Sequence, residues 1–307
     1  MSLTKILIVG AGEVGGYSAA VMARMQLGTI YLYDIVEDLA IGKAMDINQA
    51  SPYLHIDTRV IGCNSLDNIE YPDVIVVTAG RARQAGMTRL DLLNSNLDIV
   101  GSLGELIYPR FKNAKVLVVS NPVEILTWYL KTRWPEMNVF GLGCSLDTMR
   151  FKFFIAEAVH GSVDSSTGIV IGTHNDSMIP LVNYATVGGV PLRYLLDDAT
   201  IAAILKRTRT AGTVITKKKR DHSGFHAASH IVTQVVESII FNRLGVFPLS
   251  TYCRGEYGHS GICLALPSVV GHNGIERVLE VTLDDTEKSA LNLCAEEVKK
   301  IISGIKI

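Results

Sequence analysis

The segment Gly10-Ala11-Gly12-Glu13-Val14-Gly15 spaces three glycines as G-x-G-x-x-G. That spacing carries chemistry only with a strand before it and a helix after it. Lys5-Ile6-Leu7-Ile8-Val9 is a continuous apolar run of strand type, and Val14, Tyr17, Val21, Met22 and Met25 recur at helical intervals. The first glycine permits a tight turn, the second admits a pyrophosphate against bare backbone, and the third lets helix close on strand. The helix start then offers unpaired N–H groups and the positive end of its dipole. Residues 5–25 therefore predict a dinucleotide site. Asp34 ends the next apolar run, 19 positions after Gly15. A carboxylate there accepts the adenosine ribose hydroxyls and repels a 2′-phosphate, which predicts NAD over NADP.

Other reactive residues are ambiguous alone. Asp147 and Arg150 are three apart in a helically patterned segment and share a face, as a local ion pair would. Arg81, Arg83 and Arg89 lie on a polar stretch that composition alone reads as a solvated basic loop. His55, His160, His259 and His272 have no supporting context. His222, His226 and His230 recur every four residues, but no carboxylate or cysteine completes a set, so no metal is expected. Lys217-Lys218-Lys219-Arg220 reads as a solvated helix end, where cations complement the dipole.

The elements that must position these groups follow two rhythms. In the first half, strand-like runs at 5–9, 30–33, 73–77 and 115–119 alternate with helical patterns. Runs of β-branched residues and leucine suit a sheet covered on both faces, and βαβα order implies a parallel, doubly wound sheet. Ser120-Asn121-Pro122 follows the last run, with Pro122 suited to a first helical position. The rhythm changes near 141–145. Helices are expected over 146–160, 197–217, 227–242 and 284–303, with a strand at 168–171 and short strands over 250–280. The expected fold class is α/β: a Rossmann-type dinucleotide domain, residues 1–144, and a C-terminal α+β substrate domain, residues 145–307.

Bulk properties narrow the classes. The 307 residues are 48% hydrophobic and 19% charged, as in a packed globular protein. Lys and Arg total 29 against 30 Asp and Glu, which leaves no footprint for nucleic acid or an anionic membrane. The five scattered cysteines form no C-x-x-C, so reduced thiols in a cytoplasmic protein are expected. Residues 1–5 lead straight into the first strand with no signal-peptide pattern, and no apolar stretch is long enough to span a membrane.

Several motifs in order resemble the lactate/malate dehydrogenase family across essentially the whole chain. They are the glycine turn, Thr78-Ala79-Gly80, the segment Arg81 to Arg89, Ser120-Asn121-Pro122, Leu146-Asp147-Thr148-Met149-Arg150-Phe151, Gly172-Thr173-His174-Asn175-Asp176-Ser177-Met178 and Gly255-Glu256-Tyr257-Gly258. The resemblance implies that His174 is the proton acceptor, oriented by Asp147. It implies that Arg150 clamps the C1 carboxylate and that Arg89, on a closing loop, polarises the reacting carbonyl. Asn121 would touch both substrate and nicotinamide ribose. Cofactor contacts would come from Gly10, Gly12, Glu13, Val14, Gly15, Asp34, Thr78, Ala79, Gly80, Asn96, Val119 and Asn121.

The family's discriminating loop position corresponds to Arg83, or to Gln84 if the loop is shifted by one. An arginine there meets a second carboxylate, whereas lactate offers only a methyl. Ser223-Gly224-Phe225 leaves a small residue beside that side pocket. The implied reaction is reversible hydride transfer between (S)-malate/oxaloacetate and NAD+/NADH, in a homodimer or homotetramer. The alternatives are L-lactate or another 2-hydroxy acid, and more remotely a non-catalytic NAD-binding regulator. Asn175 departs from the family, which usually has glycine there; asparagine tolerates left-handed backbone, so the turn is expected to survive. Gln84 and Ala85 replace a frequent Lys and Pro.

Overall fold

The structure, a computed structural model, describes residues 4–81, 88–220 and 223–307. The first half runs β1 (Lys5–Val9), α1 (Glu13–Arg24), β2 (Thr29–Tyr33), α2 (Leu39–Gln49), α3 (Ser51–Leu54), β3 (Val60–Cys63), β4 (Val74–Val77), α4 (Arg89–Ile107), β5 (Lys115–Val118), α5 (Val123–Arg133) and β6 (Asn138–Gly141). Strands β1 to β6 lie in the order β6-β5-β4-β1-β2-β3, all parallel. This is the doubly wound Rossmann arrangement that the apolar runs predicted.

The alternation along β1 explains why two helical layers are needed. Ile6, Leu7 and Ile8 are fully buried. Leu7 and Val9 join the core beneath α4, α5 and the C-terminal helix, while Ile6 and Ile8 pack with Ala19 and Met22 of α1 on the opposite face. Successive strand side chains point to opposite faces, so a strand apolar at every position must be covered twice. Each buried Ile or Leu contributes roughly 1.5–3 kcal/mol relative to exposure.

The second half begins with α6 (Ser145–Ala158). Short strands β7 (Ser166–Thr167), β8 (Val170–Ile171), β9 (Ile179–Pro180), β10 (Thr186–Val187) and β11 (Val190–Pro191) follow. Then come α7 (Asp198–Lys218), α8 (His226–Ile240), β12 (Gly245–Arg254), β13 (Ser260–Gly271), β14 (Gly274–Val278) and α9 (Asp285–Ile302). The four expected helices are present within two residues of their ends. Six short strands, β3, β6, β7, β9, β10 and β11, lie outside the expected strand set, and β12 begins five residues before it.

The late strands form no separate sheet. β12 pairs antiparallel with β6 at Ser250 and Gly141, so among the described residues β14-β13-β12 continue the parallel sheet to nine strands. The join is close enough that a Cβ on Gly141 would fall 2.5 Å from Thr127 Oγ1 and 2.9 Å from Ser250 Cβ. Pro122 is also placed differently from the expectation: it is the N-cap of α5, with extended ψ of 116°, and Val123 begins the helix. A residue followed by a helix but itself extended cannot be its first turn.

Candidate active site

The dinucleotide turn is built from backbone. Gly10 N–H donates to Tyr33 O at 2.8 Å, and Gly10 has φ +106°, where a Cβ would meet Ala79 N at 2.6 Å. A Cβ on Gly15 would lie 1.8 Å from Gly10 O, which explains the third glycine as a packing requirement. Gly12 is different: it caps α1 with no side-chain cap, and nothing lies within 4 Å of its would-be Cβ. The first turn of α1 therefore has no side-chain cap and has room at Gly12, as an incoming pyrophosphate requires. Glu13 is exposed and faces Lys43 at 3.6 Å.

Asp34 belongs to the same unit. Its Oδ2 accepts from Ala11 N at 2.6 Å and its Oδ1 from Val36 N at 2.9 Å. These bonds fix the carboxylate at the lip of the turn, and each oxygen keeps a second lone pair for a ribose hydroxyl. The residues present therefore fit a dinucleotide with an unphosphorylated ribose.

A cavity of about 420 Å³ opens beside this turn. Val14, Thr78, Gly80, Asn96, Val119 and Asn121 line it from the first half of the chain. Asp147, Arg150 and His174 line it from the second, with Ser223 and Gly224 at its side. Gly10, Gly12, Glu13, Gly15, Asp34 and Ala79 lie outside its wall, in the adjoining turn and strand end. Thr78 Oγ1 donates to Gly10 O at 2.9 Å, tying the two regions together. Asn96 is 1% exposed; its Oδ1 accepts from Arg81 N at 2.7 Å and its Nδ2 donates to Asn121 O at 2.7 Å. It thus bolts the segment after β4 to the segment after β5.

The reactive cluster centres on Asp147, fully buried in the first turn of α6. Its Oδ2 lies 2.5 Å from His174 Nδ1, and its Oδ1 accepts from Arg150 Nη1 at 3.0 Å. Each carboxylate oxygen serves one partner. Burial alone would push the Asp147 carboxyl up, but the neighbouring His174 and Arg150 charges prevail and hold it below its usual range. The same Asp147 charge raises His174 above its ordinary value, against the opposing effect of burial. An ionised partner at Nδ1 keeps the proton there and leaves Nε2 as the nitrogen that exchanges protons with a ligand.

Arg83 lies outside the described residues, as do Gln84, Ala85, His222 and the side chain of Arg89. The backbone of Arg89 opens α4, whose start is fixed by a capping box: Thr88 Oγ1 accepts from Asp91 N at 3.1 Å, and Asp91 Oδ2 accepts from Thr88 N at 3.0 Å.

Two residues beyond the sequence reading support the cluster. Glu124, in the first turn of α5 and 5% exposed, accepts from His174 N at 3.0 Å. Burial pushes its carboxyl up, partly countered by His174. An acid inside the apolar run Val123-Glu124-Ile125-Leu126 was the available signal. Arg209 Nε donates to Met178 O at 3.3 Å, pinning the far end of the His174 turn to α7. The turn at Asn175 is formed, but not through left-handed backbone: its φ is not positive, and its side-chain Oδ1 accepts from Ser177 N at 2.7 Å.

Comparison with known proteins gives consistent matches. Residues 4–141 match the lactate/malate dehydrogenase NAD-binding domain, and residues 144–306 match the alpha/beta C-terminal domain of the same proteins. The malate dehydrogenase of Anoxybacillus flavithermus is 37% identical over 100% of this chain and 99% of its own. Among solved structures, the malate dehydrogenase of Picrophilus torridus is 36% identical with a TM-score of 0.94, covering 97% of this chain and 96% of that one. A lactate dehydrogenase of Cryptosporidium parvum, complexed with lactic acid and nicotinamide adenine dinucleotide, is 28% identical with a TM-score of 0.94 over the full length of both chains.

Proposed function

We propose that this chain, which belongs to the lactate/malate dehydrogenase family, interconverts (S)-malate and oxaloacetate. As a member of that family it is an NAD-dependent oxidoreductase. The observation that carries the reading is the shared carboxylate: Asp147 holds His174 at 2.5 Å and Arg150 at 3.0 Å, on the wall of a cavity beside the dinucleotide turn.

NAD, when bound, supplies the hydride acceptor. The protein residues manage the proton and the charges. In malate oxidation His174 Nε2 takes the C2 hydroxyl proton, and the adjacent Asp147 stabilises the imidazolium that forms. In reduction the same imidazolium returns the proton. Arg150, half-fixed by Asp147, turns its remaining donors to the C1 carboxylate in the two-pronged geometry of a guanidinium. Arg89 stabilises negative charge on the reacting oxygen, and Arg83 meets the second carboxylate. Asn121 contacts substrate and ribose, while Asn96 positions it. Gly10, Gly12, Gly15, Glu13, Val14, Thr78, Ala79, Gly80, Val119 and Asp34 form the cofactor bed. Residues 1–144 thus hold the dinucleotide and lend Arg83, Arg89 and Asn121 to the substrate, while residues 145–307 supply the base and the C1 carboxylate clamp.

Malate is favoured over lactate by Arg83 in the sequence and by the higher identity to proteins named malate dehydrogenase. Steady-state kinetics with oxaloacetate and pyruvate, on wild type and Arg83→Gln, test the choice. Wild type should prefer oxaloacetate, and the variant should lose that preference by about 100-fold or more, given the loss of a charge-assisted pair. A wild type that prefers pyruvate rejects malate. NADH binding without turnover would favour a regulatory role. A cytoplasmic homo-oligomer fits the five unpaired cysteines and the exposed Met45 and Tyr53 on α2 and α3.

A further inference from the structure

The turn that carries His174 is organised by the next residue. Gly172, at φ +98°, directs the chain off β8. Thr173 is buried, and His174 and Asn175 then line the cavity. Asn175 Oδ1 accepts from Thr173 Oγ1 at 3.0 Å and from Ser177 N at 2.7 Å. Its backbone also closes the turn: Asn175 N donates to Thr173 O at 2.8 Å, and Met178 N donates to Asn175 O at 3.1 Å.

These contacts decide the orientation of the amide. A backbone N–H can face only the oxygen, so Oδ1 is turned into the loop and both its lone pairs are used. The Nδ2 group, with two N–H donors, takes no acceptor among the described residues. Asn175 is exposed, and its neighbours on the cavity wall include Arg150, Arg209 and Asp176. A neutral donor adjoining the proton-exchanging histidine suits an anionic ligand. It adds a hydrogen bond without adding a charge that would disturb His174.

We propose that Asn175 is a further substrate-contacting residue, whose Nδ2 donates to a carboxylate oxygen of the bound 2-hydroxy or 2-oxo acid. The proposal rests on the malate reading for the identity of the acid, but not for the contact, since any substrate of this class carries a carboxylate. The side chain has two roles in one amide. Its oxygen builds the turn that presents His174, and its nitrogen binds what His174 acts on.

Asn175→Asp separates the roles. It retains size and an acceptor at Oδ1, so the Thr173 and Ser177 bonds persist, but the donors are gone. Asn175→Ala removes both functions. Oxaloacetate reduction at saturating NADH is measured for each, at low ionic strength and in 0.5 M NaCl. Asn175→Asp should raise KM roughly 10- to 100-fold, the size of a lost hydrogen bond to a charged group, with kcat within about threefold of wild type. The excess should survive in high salt, which screens long-range repulsion. In the wild type bound to NADH, malonate should shift the Asn175 side-chain amide NMR resonance. An unchanged KM in Asn175→Asp, an excess that vanishes in salt, or an amide resonance unmoved by malonate overturns the proposal. A wild type that reduces pyruvate instead rejects the malate reading alone, and the same variants assayed with pyruvate still decide the role of Asn175.

Discussion

Replacing Asp147 by asparagine removes one charge from the centre of the site while keeping its shape. The carboxylate lies 2.5 Å from His174 Nδ1 and is fully buried, so little solvent screens the pair. An opposite charge this close shifts a histidine by about 1–3 pH units, and each unit is worth about 1.4 kcal/mol. The substituted amide would also face two donors, Arg150 Nη1 and His174 Nδ1–H, with a single carbonyl oxygen. If that oxygen stays with Arg150, the amide NH2 meets Nδ1 and drives the neutral imidazole proton to Nε2, where the substrate proton belongs.

The expected loss in kcat/KM for oxaloacetate is about 10- to 1000-fold at neutral pH. It should vary with pH in one direction. Reduction needs imidazolium, which the raised His174 pKa preserves in wild type. Asp147→Asn lowers that pKa, so the deficit grows as pH rises through the interval between the two values and levels off on either side. Malate oxidation must lose the same factor at each pH, because the enzyme leaves the overall equilibrium unchanged. The assay is kcat/KM in both directions from about pH 5.5 to 9, which reports the free-enzyme pKa values. A deficit under about threefold, or one that shrinks as pH rises, refutes the reasoning.

Asp34→Ser should narrow the preference for NADH over NADPH by at least about 10-fold in kcat/KM, since the 2′-phosphate no longer meets a carboxylate held by Ala11 N and Val36 N. An unchanged ratio would separate Asp34 from cofactor choice. Glu124→Gln and Glu124→Ala should differ in thermal stability. The glutamine keeps an acceptor for His174 N and removes a carboxyl whose pKa is raised by burial, so its melting temperature should equal or exceed that of wild type. Any gain should grow as pH rises from the unfolded carboxyl value through the folded one, then stay constant. The alanine leaves an orphaned N–H and should cost about 1–3 kcal/mol. Equal melting temperatures for the two variants would remove the hydrogen bond from the account.

What could be read from the sequence was what has a local signature. The glycine turn works through backbone shape, so β1, α1 and Asp34 were legible together. Asp147 and Arg150 were legible as a face-sharing pair, but their connection to His174, 27 residues away, came only from the motif order. Glu124 was hidden because a first-turn acid is ordinary at a helix start, and its burial depends on α5 packing under the late strands. Asn175 was read for its backbone tolerance, whereas its value lies in side-chain bonds to Thr173 and Ser177, which require the turn to exist first. Pro122 shows the same limit: N-cap and first-turn positions differ by one residue and are separated only by ψ.

The continuity of the sheet through Gly141 and Ser250 makes it a ruler. The dinucleotide turn follows β1, and Asp147 follows β6 by one short bend. Between those strands stand β4 and β5, so three strand spacings separate the anchor of the cofactor from the anchor of the base, about 14 Å at 4.7–4.9 Å each. That span is set by backbone hydrogen bonds rather than by side chains. The antiparallel strands beyond β6 clamp its outer edge, so the two anchors cannot drift apart as hinged lobes would. Adjustment to ligand therefore falls to the segments between strands, while the distance over which the hydride acceptor and the proposed proton acceptor must agree is written into the pitch of the sheet.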